Sequence, residues 1–137
     1  MNNARILVIE DDKFLRRACE VSLGKRGFTV LTAVDGEDGI QQALAGSPDL
    51  ILLDMLMPKL TGIETLEILK REEKTRRIPV VIFSNSSIEA DVQRAKELGA
   101  AGYLVKASLS LRELGDRVLE FLEQDGLKPE ISEDPPR

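Results

Sequence analysis

The stretch LILLDMLMPKLTG, residues 50–62, joins a continuous apolar run to a carboxylate and then to a loop. Its first four residues, Leu50–Leu53, show no alternation of apolar and polar side chains, which is typical of a parallel strand covered on both faces. The run ends at Asp54, and Pro58 and Gly62 indicate a loop before the next helix. The stretch therefore predicts a buried strand that carries an acidic group at its carboxyl end.

The pattern of a short apolar run followed by a helical segment recurs along the chain. Apolar residues three to four positions apart predict three helices, over Ile63–Leu69, Ile88–Leu98 and Leu111–Leu122. Residues 12–25 and 36–45 fill the two remaining gaps with a less clear helical pattern. This alternation predicts an α/β fold with a mostly parallel five-stranded sheet and five helices. The predicted strands are Ile6–Ile9, Phe28–Ala33, Leu50–Leu53, Val80–Phe83 and Tyr103–Val105.

Composition excludes several classes of protein. A chain of 137 residues with a formal net charge of −5 fits one globular domain and does not favour direct binding to nucleic acid. No apolar stretch is long enough to cross a membrane and the N-terminus lacks a secretory signal, so we expect a cytoplasmic protein. Histidine is absent and Cys19 is the only cysteine, which excludes histidine-based catalysis, disulfides within the chain and zinc sites built from imidazole or several thiolates.

The C-terminal residues differ in composition from the rest of the chain. We predict one domain over residues 4–124 and a disordered acidic, proline-containing tail over residues 125–137. Leu127 and Ile131 are the only large apolar residues of the tail. They are too few to offset an ordering cost of about 1–2 kcal/mol per residue. We therefore expect the tail to be dispensable for folding.

Polar side chains follow four of the five predicted strands. Open α/β sheets bind ligands outside the carboxyl ends of their strands, so we expect these side chains to converge in one site. The residues are Glu10, Asp11 and Asp12 after the first strand, Asp54 after the third, Ser84 after the fourth and Lys106 after the fifth.

Each of these residues alone has a simpler interpretation. Asp11 or Asp12 could cap the helix that begins near Lys13. Ser84 could be a turn residue, and Lys106 a solvated surface lysine. The combination at one edge of the sheet favours a functional site over these separate structural roles.

The residue types at this edge indicate phosphoryl chemistry. Clustered carboxylates repel one another unless a cation neutralises them, and oxygen ligands suit Mg²⁺. A carboxylate can attack phosphorus and form an aspartyl phosphate. Phosphoryl transfer needs charge neutralised on the transferred oxygens, which Mg²⁺, a lysine and a hydroxyl supply. The sequence therefore predicts that Asp54 accepts a phosphoryl group, held in place by a metal ion and an ammonium group.

Four segments resemble the receiver domain of two-component response regulators: RILVIEDD, DLILLDMLMPKLTG, IPVVIFSNSS and GAAGYLVK. They occur in the order and at the spacing of that family, and the resemblance covers about residues 4–124. It implies a flavodoxin-like, doubly wound fold with strand order 2-1-3-4-5. It also implies that Asp54 is the phosphoacceptor.

The resemblance implies a Mg²⁺ site around the phosphoacceptor. Asp11 and Asp54 would bind the ion directly, together with the backbone carbonyl of Leu56. Glu10 would act on the ion through water. Asp11 and Glu10 thus form the acidic pair of the family.

The resemblance also assigns a switch. Lys106 would contact the phosphoryl oxygens, and Ser84 would move toward them after phosphorylation. Tyr103 would change rotamer with Ser84 and pass the signal to the surface formed by the fourth helix, fifth strand and fifth helix. One position departs from the family: Ala107 follows Lys106 where a proline is usual. Without proline a cis peptide costs about 3–4 kcal/mol, so we predict a trans bond and a locally different loop.

These observations predict a receiver that switches protein–protein binding and is not an enzyme. Its phosphodonor would be a sensor histidine kinase or a histidine phosphotransfer protein, because the chain has no histidine, and its target a downstream protein. The chain could instead be a receiver fragment of a larger regulator or hybrid kinase. An aspartate-nucleophile phosphatase is a weaker alternative, since Leu56 stands where such enzymes commonly need a general acid. A pseudo-receiver that only binds a partner, or an FMN-binding flavodoxin, fits less well, the latter because no phosphate loop follows the first strand.

Overall fold

The five strands form one parallel sheet with helices on both faces. The structure is a computed structural model, and it describes residues 3–85 and 89–125. The strand order is 2-1-3-4-5, so the predicted fold class and topology are confirmed. A single 3-10 turn, Lys106–Ser108, follows the last strand. The elements are β1 Arg5–Ile9, α1 Lys13–Lys25, β2 Thr29–Ala33, α2 Gly36–Gly46, β3 Leu50–Leu53, α3 Gly62–Arg71, β4 Val80–Ser84, α4 Glu89–Glu97, β5 Gly102–Val105 and α5 Leu111–Asp125.

Two apolar clusters cover the two faces of the sheet. Because successive strand residues point to opposite faces, Ile6 and Val8 of β1 pack with α1 and α5, whereas Leu7 and Ile9 pack with α2, α3 and α4. All four residues of β3 are buried in the same alternating way. Burial on both faces explains why the inner strands read as continuous apolar runs.

Side-chain caps start the helices at the carboxyl edge of the sheet. Asp12 accepts hydrogen bonds from the amides of Phe14 and Leu15 at 2.9 and 3.1 Å, which decides between the two candidate caps of α1. Thr61 and Glu64 form a reciprocal capping box that starts α3. These caps fix the points at which the loops after β1 and β3 end.

The element bounds differ slightly from those predicted. Phe28 precedes β2 and packs in the apolar cluster of α1 and α5, and Ser84 belongs to β4. Asp125, the first residue of the predicted tail, is the last described residue of α5. The rest of the predicted tail, from 126 onward, lies outside the described residues, as does Ile88. None of the helices in the described part has the length and apolar character needed to cross a membrane.

Candidate functional site

The strand register brings the first and third strand ends together. Ile9 pairs with Leu53 in the parallel ladder, and the amide of Asp54 donates to the carbonyl of Ile9 at 3.1 Å. The amide of Glu10 likewise donates to Ala33 at 3.1 Å. The ladder thus holds the backbone of both acidic residues as their side chains leave the sheet.

The loop after β3 keeps Asp54 at the edge of the core. Met55 and Met57 are buried against α2 and α3, which leaves the intervening Leu56 68% exposed. Asp54 itself is 5% exposed, and its Oδ1 accepts a hydrogen bond from the amide of Leu56 at 3.4 Å. The loop turns back tightly, since the amide of Gly62 donates to Met55 at 3.0 Å. Burial of Met55 and Met57 thus anchors the loop that follows the carboxylate.

Three carboxylates share the space above the sheet. Glu10, Asp11 and Asp54 each offer one oxygen, and these oxygens all lie within 4.8 Å of one another. Asp11 is exposed and the other two are buried, so the cluster opens to solvent on one side. Oxygen donors at this spacing fit a hard divalent cation. Asp12 is not among them, because its carboxylate caps α1.

Lys106 completes the cluster with a positive charge. Its ammonium nitrogen lies 2.7 Å from Glu10 Oε1 and 3.4 Å from Asp54 Oδ1. It also lies 5.8 Å from the centre of the Phe83 ring. The peptide bond from Lys106 to Ala107 is trans, as the absence of proline predicted. The 3-10 turn that begins at Lys106 carries the side chain back over the strand ends.

Ser84 and Tyr103 lie on neighbouring strands and on the same face of the sheet. Ser84 is fully buried at the end of β4 and pairs in register with Val105, directly before Lys106. Tyr103 pairs with Ile82 and packs against the cluster of α2, α3 and α4. Its ring also lines a cavity of about 80 Å³ between α4 and β5. The register thus places the two residues diagonally across neighbouring strands.

This arrangement matches a known family. The family model for the response regulator receiver domain matches residues 6–119. The chain belongs to that family. The receiver domain therefore takes part in two-component signalling, in which phosphorylation is a general feature.

The chain is similar to curated proteins from several organisms. The chain is 34% identical to the alkaline phosphatase synthesis transcriptional regulatory protein PhoP of Bacillus subtilis over 131 residues, 96% of the chain and 53% of the relative. It is 39% identical to the transcriptional regulatory protein AfsQ1 of Streptomyces coelicolor over 101 residues, 74% of the chain and 44% of the relative. It is 32% identical to protein PilG of Pseudomonas aeruginosa over 102 residues, 74% of the chain and 76% of the relative. The chain spans about half the length of the first two.

Solved receiver structures agree with the fold. The receiver domain of the Francisella response regulator 1452 superposes with a TM-score of 0.81 at 27% identity. The superposition covers 90% of this chain and 100% of the Francisella domain. Chemotaxis protein CheY4 of Vibrio cholerae superposes with a TM-score of 0.81 at 25% identity. The superposition covers 86% of this chain and 98% of the CheY4 chain.

The receiver's lysine and its partners are electrostatically coupled. Burial by itself lowers the pKa of the Lys106 ammonium, but the hydrogen bond to Glu10 and the charge of Asp54 outweigh burial, so the pKa lies above its ordinary value. Burial raises the pKa of the Glu10 carboxyl group. Hydrogen bonds from Lys106 and the Asp12 amide offset only part of that rise, and the charge of Asp54 adds to it. The receiver therefore holds a stable cation beside a carboxylate that is costly to ionise.

Sequence reasoning brought the acidic residues and Lys106 to one site but missed two features. Oε2 of Glu10 accepts a hydrogen bond from the Asp12 amide at 3.0 Å, so both its oxygens have protein partners. Arg16, one turn into α1, donates to the carbonyls of Glu10 and Asp11 at 2.8 and 3.4 Å. Only its spacing from the acidic residues could have indicated this contact.

Burial raises the pKa of Cys19 to about 11, so this thiol is not a nucleophile of the site.

Proposed function

We propose that this receiver domain accepts a phosphoryl group on Asp54 from a phosphohistidine of a partner protein and then changes its binding to a second protein. The observation that carries the proposal is the contact of 3.4 Å between the Lys106 ammonium and the buried Asp54, which belongs to a cluster of three carboxylates. A structural ion pair would not need two further acidic groups, whose mutual repulsion destabilises the fold.

The acidic residues would position the nucleophile and a cation. Asp11, Asp54 and the carbonyl of Leu56 would bind Mg²⁺ directly, and Glu10 through water. When bound, the ion would neutralise charge on the phosphoryl oxygens. An oxygen of Asp54 attacks the phosphorus, and the bond from phosphorus to the donor's imidazole nitrogen breaks. The imidazole keeps that electron pair and takes a proton.

Lys106 and Ser84 would stabilise the transferred group. The ammonium of Lys106 lies between Glu10 and Asp54, so a phosphoryl group on Asp54 draws it away from Glu10 by charge attraction. Ser84 would then donate its hydroxyl to a phosphoryl oxygen. Because Tyr103 lies on the same face of the neighbouring strand, we propose that it carries this change to the surface of α4, β5 and α5.

The partners follow from the chemistry. These 137 residues contain no histidine, so the phosphohistidine would lie outside them, on a sensor histidine kinase or a histidine phosphotransfer protein. The similar proteins are response regulators, which are signalling proteins. No observation favours a phosphatase, since the apolar, exposed Leu56 stands two residues after Asp54.

Phosphorylation by a small donor tests the proposal. With acetyl phosphate and Mg²⁺, intact-mass measurement should show one phosphoryl adduct in the wild type and none with EDTA or in Asp54→Asn. Asp12→Asn is a matched control, because asparagine caps a helix as well as aspartate and Asp12 does not contribute to the carboxylate cluster. We expect this control to be phosphorylated. Stoichiometric, persistent labelling of Asp54→Asn would refute the assignment.

A further inference from the structure

Arg16 bonds to the backbone of the acidic loop and not to its carboxylates. One nitrogen, Nη1, lies 2.8 Å from the carbonyl oxygen of Glu10 and 3.4 Å from that of Asp11. Among the described residues, no carboxylate lies within ion-pair distance of this guanidinium. Its neighbour Arg17, by contrast, pairs with Glu20 at 3.0 Å on the exposed side of the helix.

The two carbonyls belong to the peptide groups on either side of Asp11. A donor that contacts both of them, strongly at 2.8 Å and weakly at 3.4 Å, restrains the backbone on both sides of Asp11, and with it the direction of the Asp11 side chain. This matters because Asp11 is exposed and its carboxylate accepts no hydrogen bond within the described part of the chain. The backbone is then what keeps this carboxylate near the other two.

The neighbouring acidic residues are held differently. Glu10 has Lys106 on one oxygen and the Asp12 amide on the other, and Asp12 caps α1. A guanidinium on the Asp11 carboxylate would compete with an entering cation, whereas one on the carbonyls orients the loop and leaves the carboxylate available. The placement of Arg16 therefore suits cation binding.

We propose that Arg16 is a positioning residue for the divalent cation: it holds the loop of Glu10 and Asp11 so that the Asp11 carboxylate faces Asp54. This role rests on the metal binding included in the proposed function. Side chains that orient metal ligands typically change metal affinity by about 10–100-fold when removed. We expect the lower end here, because a backbone contact restrains one ligand of several.

Electrostatics alone predicts the opposite change in Mg²⁺ affinity when Arg16 is replaced by a neutral residue. Removing a positive charge near three carboxylates increases the local negative potential and so strengthens cation binding. Loss of positioning weakens it. Arg16→Met and Arg17→Met remove the same charge from adjacent positions of α1, but only the first removes the contacts to the acidic loop.

The experiment measures Mg²⁺ dissociation constants by titration calorimetry at neutral pH for the wild type and both variants. We expect about tenfold weaker binding for Arg16→Met, unchanged or slightly tighter binding for Arg17→Met, and recovery of most of the affinity in Arg16→Lys. The pair Arg16→Ala and Arg17→Ala repeats the comparison with the best helix-forming residue. Melting temperatures in EDTA show that each variant is folded.

Two results would overturn the role. If Arg16→Met and Arg16→Ala bind Mg²⁺ as tightly as their Arg17 partners, the carbonyl contacts do not position the ligand. If the wild type binds no Mg²⁺, the metal site of the proposed function fails and the role of Arg16 with it. Because the readout is metal affinity, a failure of phosphoryl transfer alone leaves the test of Arg16 intact.

Discussion

The ammonium nitrogen of Lys106 lies 2.7 Å from Oε1 of Glu10, and both side chains are largely shielded from solvent. The distance to Asp54 is longer, 3.4 Å. The lysine thus has its shorter contact with the acidic residue that we do not expect to be phosphorylated. A phosphoryl group on Asp54 would compete with Glu10 for this charge, so we expect Glu10 to affect both stability and switching.

Replacing Glu10 by glutamine should stabilise the metal-free protein at neutral pH. The pKa of Glu10 is raised above its ordinary value of 4.5, mainly by burial. A carboxyl group with a raised folded-state pKa contributes stability that is fully present below the unfolded value and is lost as pH rises through the folded one. Glutamine imitates the protonated form and avoids that loss.

Melting temperatures in EDTA, measured as a function of pH, check this prediction. Glu10→Gln should melt higher than the wild type at neutral pH, and the difference should shrink toward pH 4.5. A variant that melts at or below the wild-type temperature at neutral pH would mean that the ion pair with Lys106 outweighs the cost of burial.

Replacing Gly62 should reduce the stability of the protein, because the loop after β3 packs closely against this residue. An ideal Cβ at this position overlaps the carbonyl oxygen of Asp54 and lies 2.6 Å from Cα of Met55, so alanine must displace the backbone of these two residues. We expect Gly62→Ala to reduce the free energy of unfolding by about 1–3 kcal/mol and to slow phosphorylation by acetyl phosphate.

Gly24 offers the matched control. No atom lies within 4 Å of a Cβ built there, and the residue is inside α1, so Gly24→Ala should raise stability by about 0.5–1 kcal/mol. Urea unfolding of the two variants measures both effects. Equal stability of Gly62→Ala and the wild type would show that the loop relaxes without moving Asp54.

The apolar runs and the polar residues behind them predicted the sheet and the position of the site, because both depend on local patterns. The hydrogen bonds that organise the site do not depend on local patterns and were not predicted. Arg16 lies on a helix with no motif of its own, and Gly62 is needed for a close approach between segments eight residues apart. Such contacts depend on the angle at which elements pack, which apolar periodicity does not encode.

Ser84 should affect the switch and not the acceptance of phosphate. Its hydroxyl would contact the phosphoryl group only after transfer, which gives the difference between states that a population shift requires. Ser84→Ala should therefore still be phosphorylated, while the chemical-shift changes around Tyr103 on phosphorylation become smaller. NMR of both proteins with acetyl phosphate and Mg²⁺ measures this. Shift changes equal to those of the wild type would exclude Ser84 from the switch.

Removing the charge of Lys106 should destabilise the metal-free protein. Lys106→Met leaves Glu10 and Asp54 as two buried acidic groups without their cation, and we expect a loss of about 1–3 kcal/mol in the free energy of unfolding. Lys59→Met is the control, because Lys59 pairs with Asp35 at 3.6 Å with 66% of its side chain exposed, and such pairs contribute about 0–1 kcal/mol.

The combination with Glu10→Gln separates repulsion from packing. If the loss in Lys106→Met comes from two uncompensated carboxylates, then adding Glu10→Gln should restore most of the stability, and Mg²⁺ should raise the melting temperature of Lys106→Met more than that of the wild type. If the loss comes from the contact between the Lys106 ammonium and the Phe83 ring, neither change should restore it. Urea unfolding of the two single variants and the double variant, in EDTA and in Mg²⁺, distinguishes these causes. A Lys106→Met protein as stable as the wild type in EDTA would show that the acidic groups do not depend on this lysine.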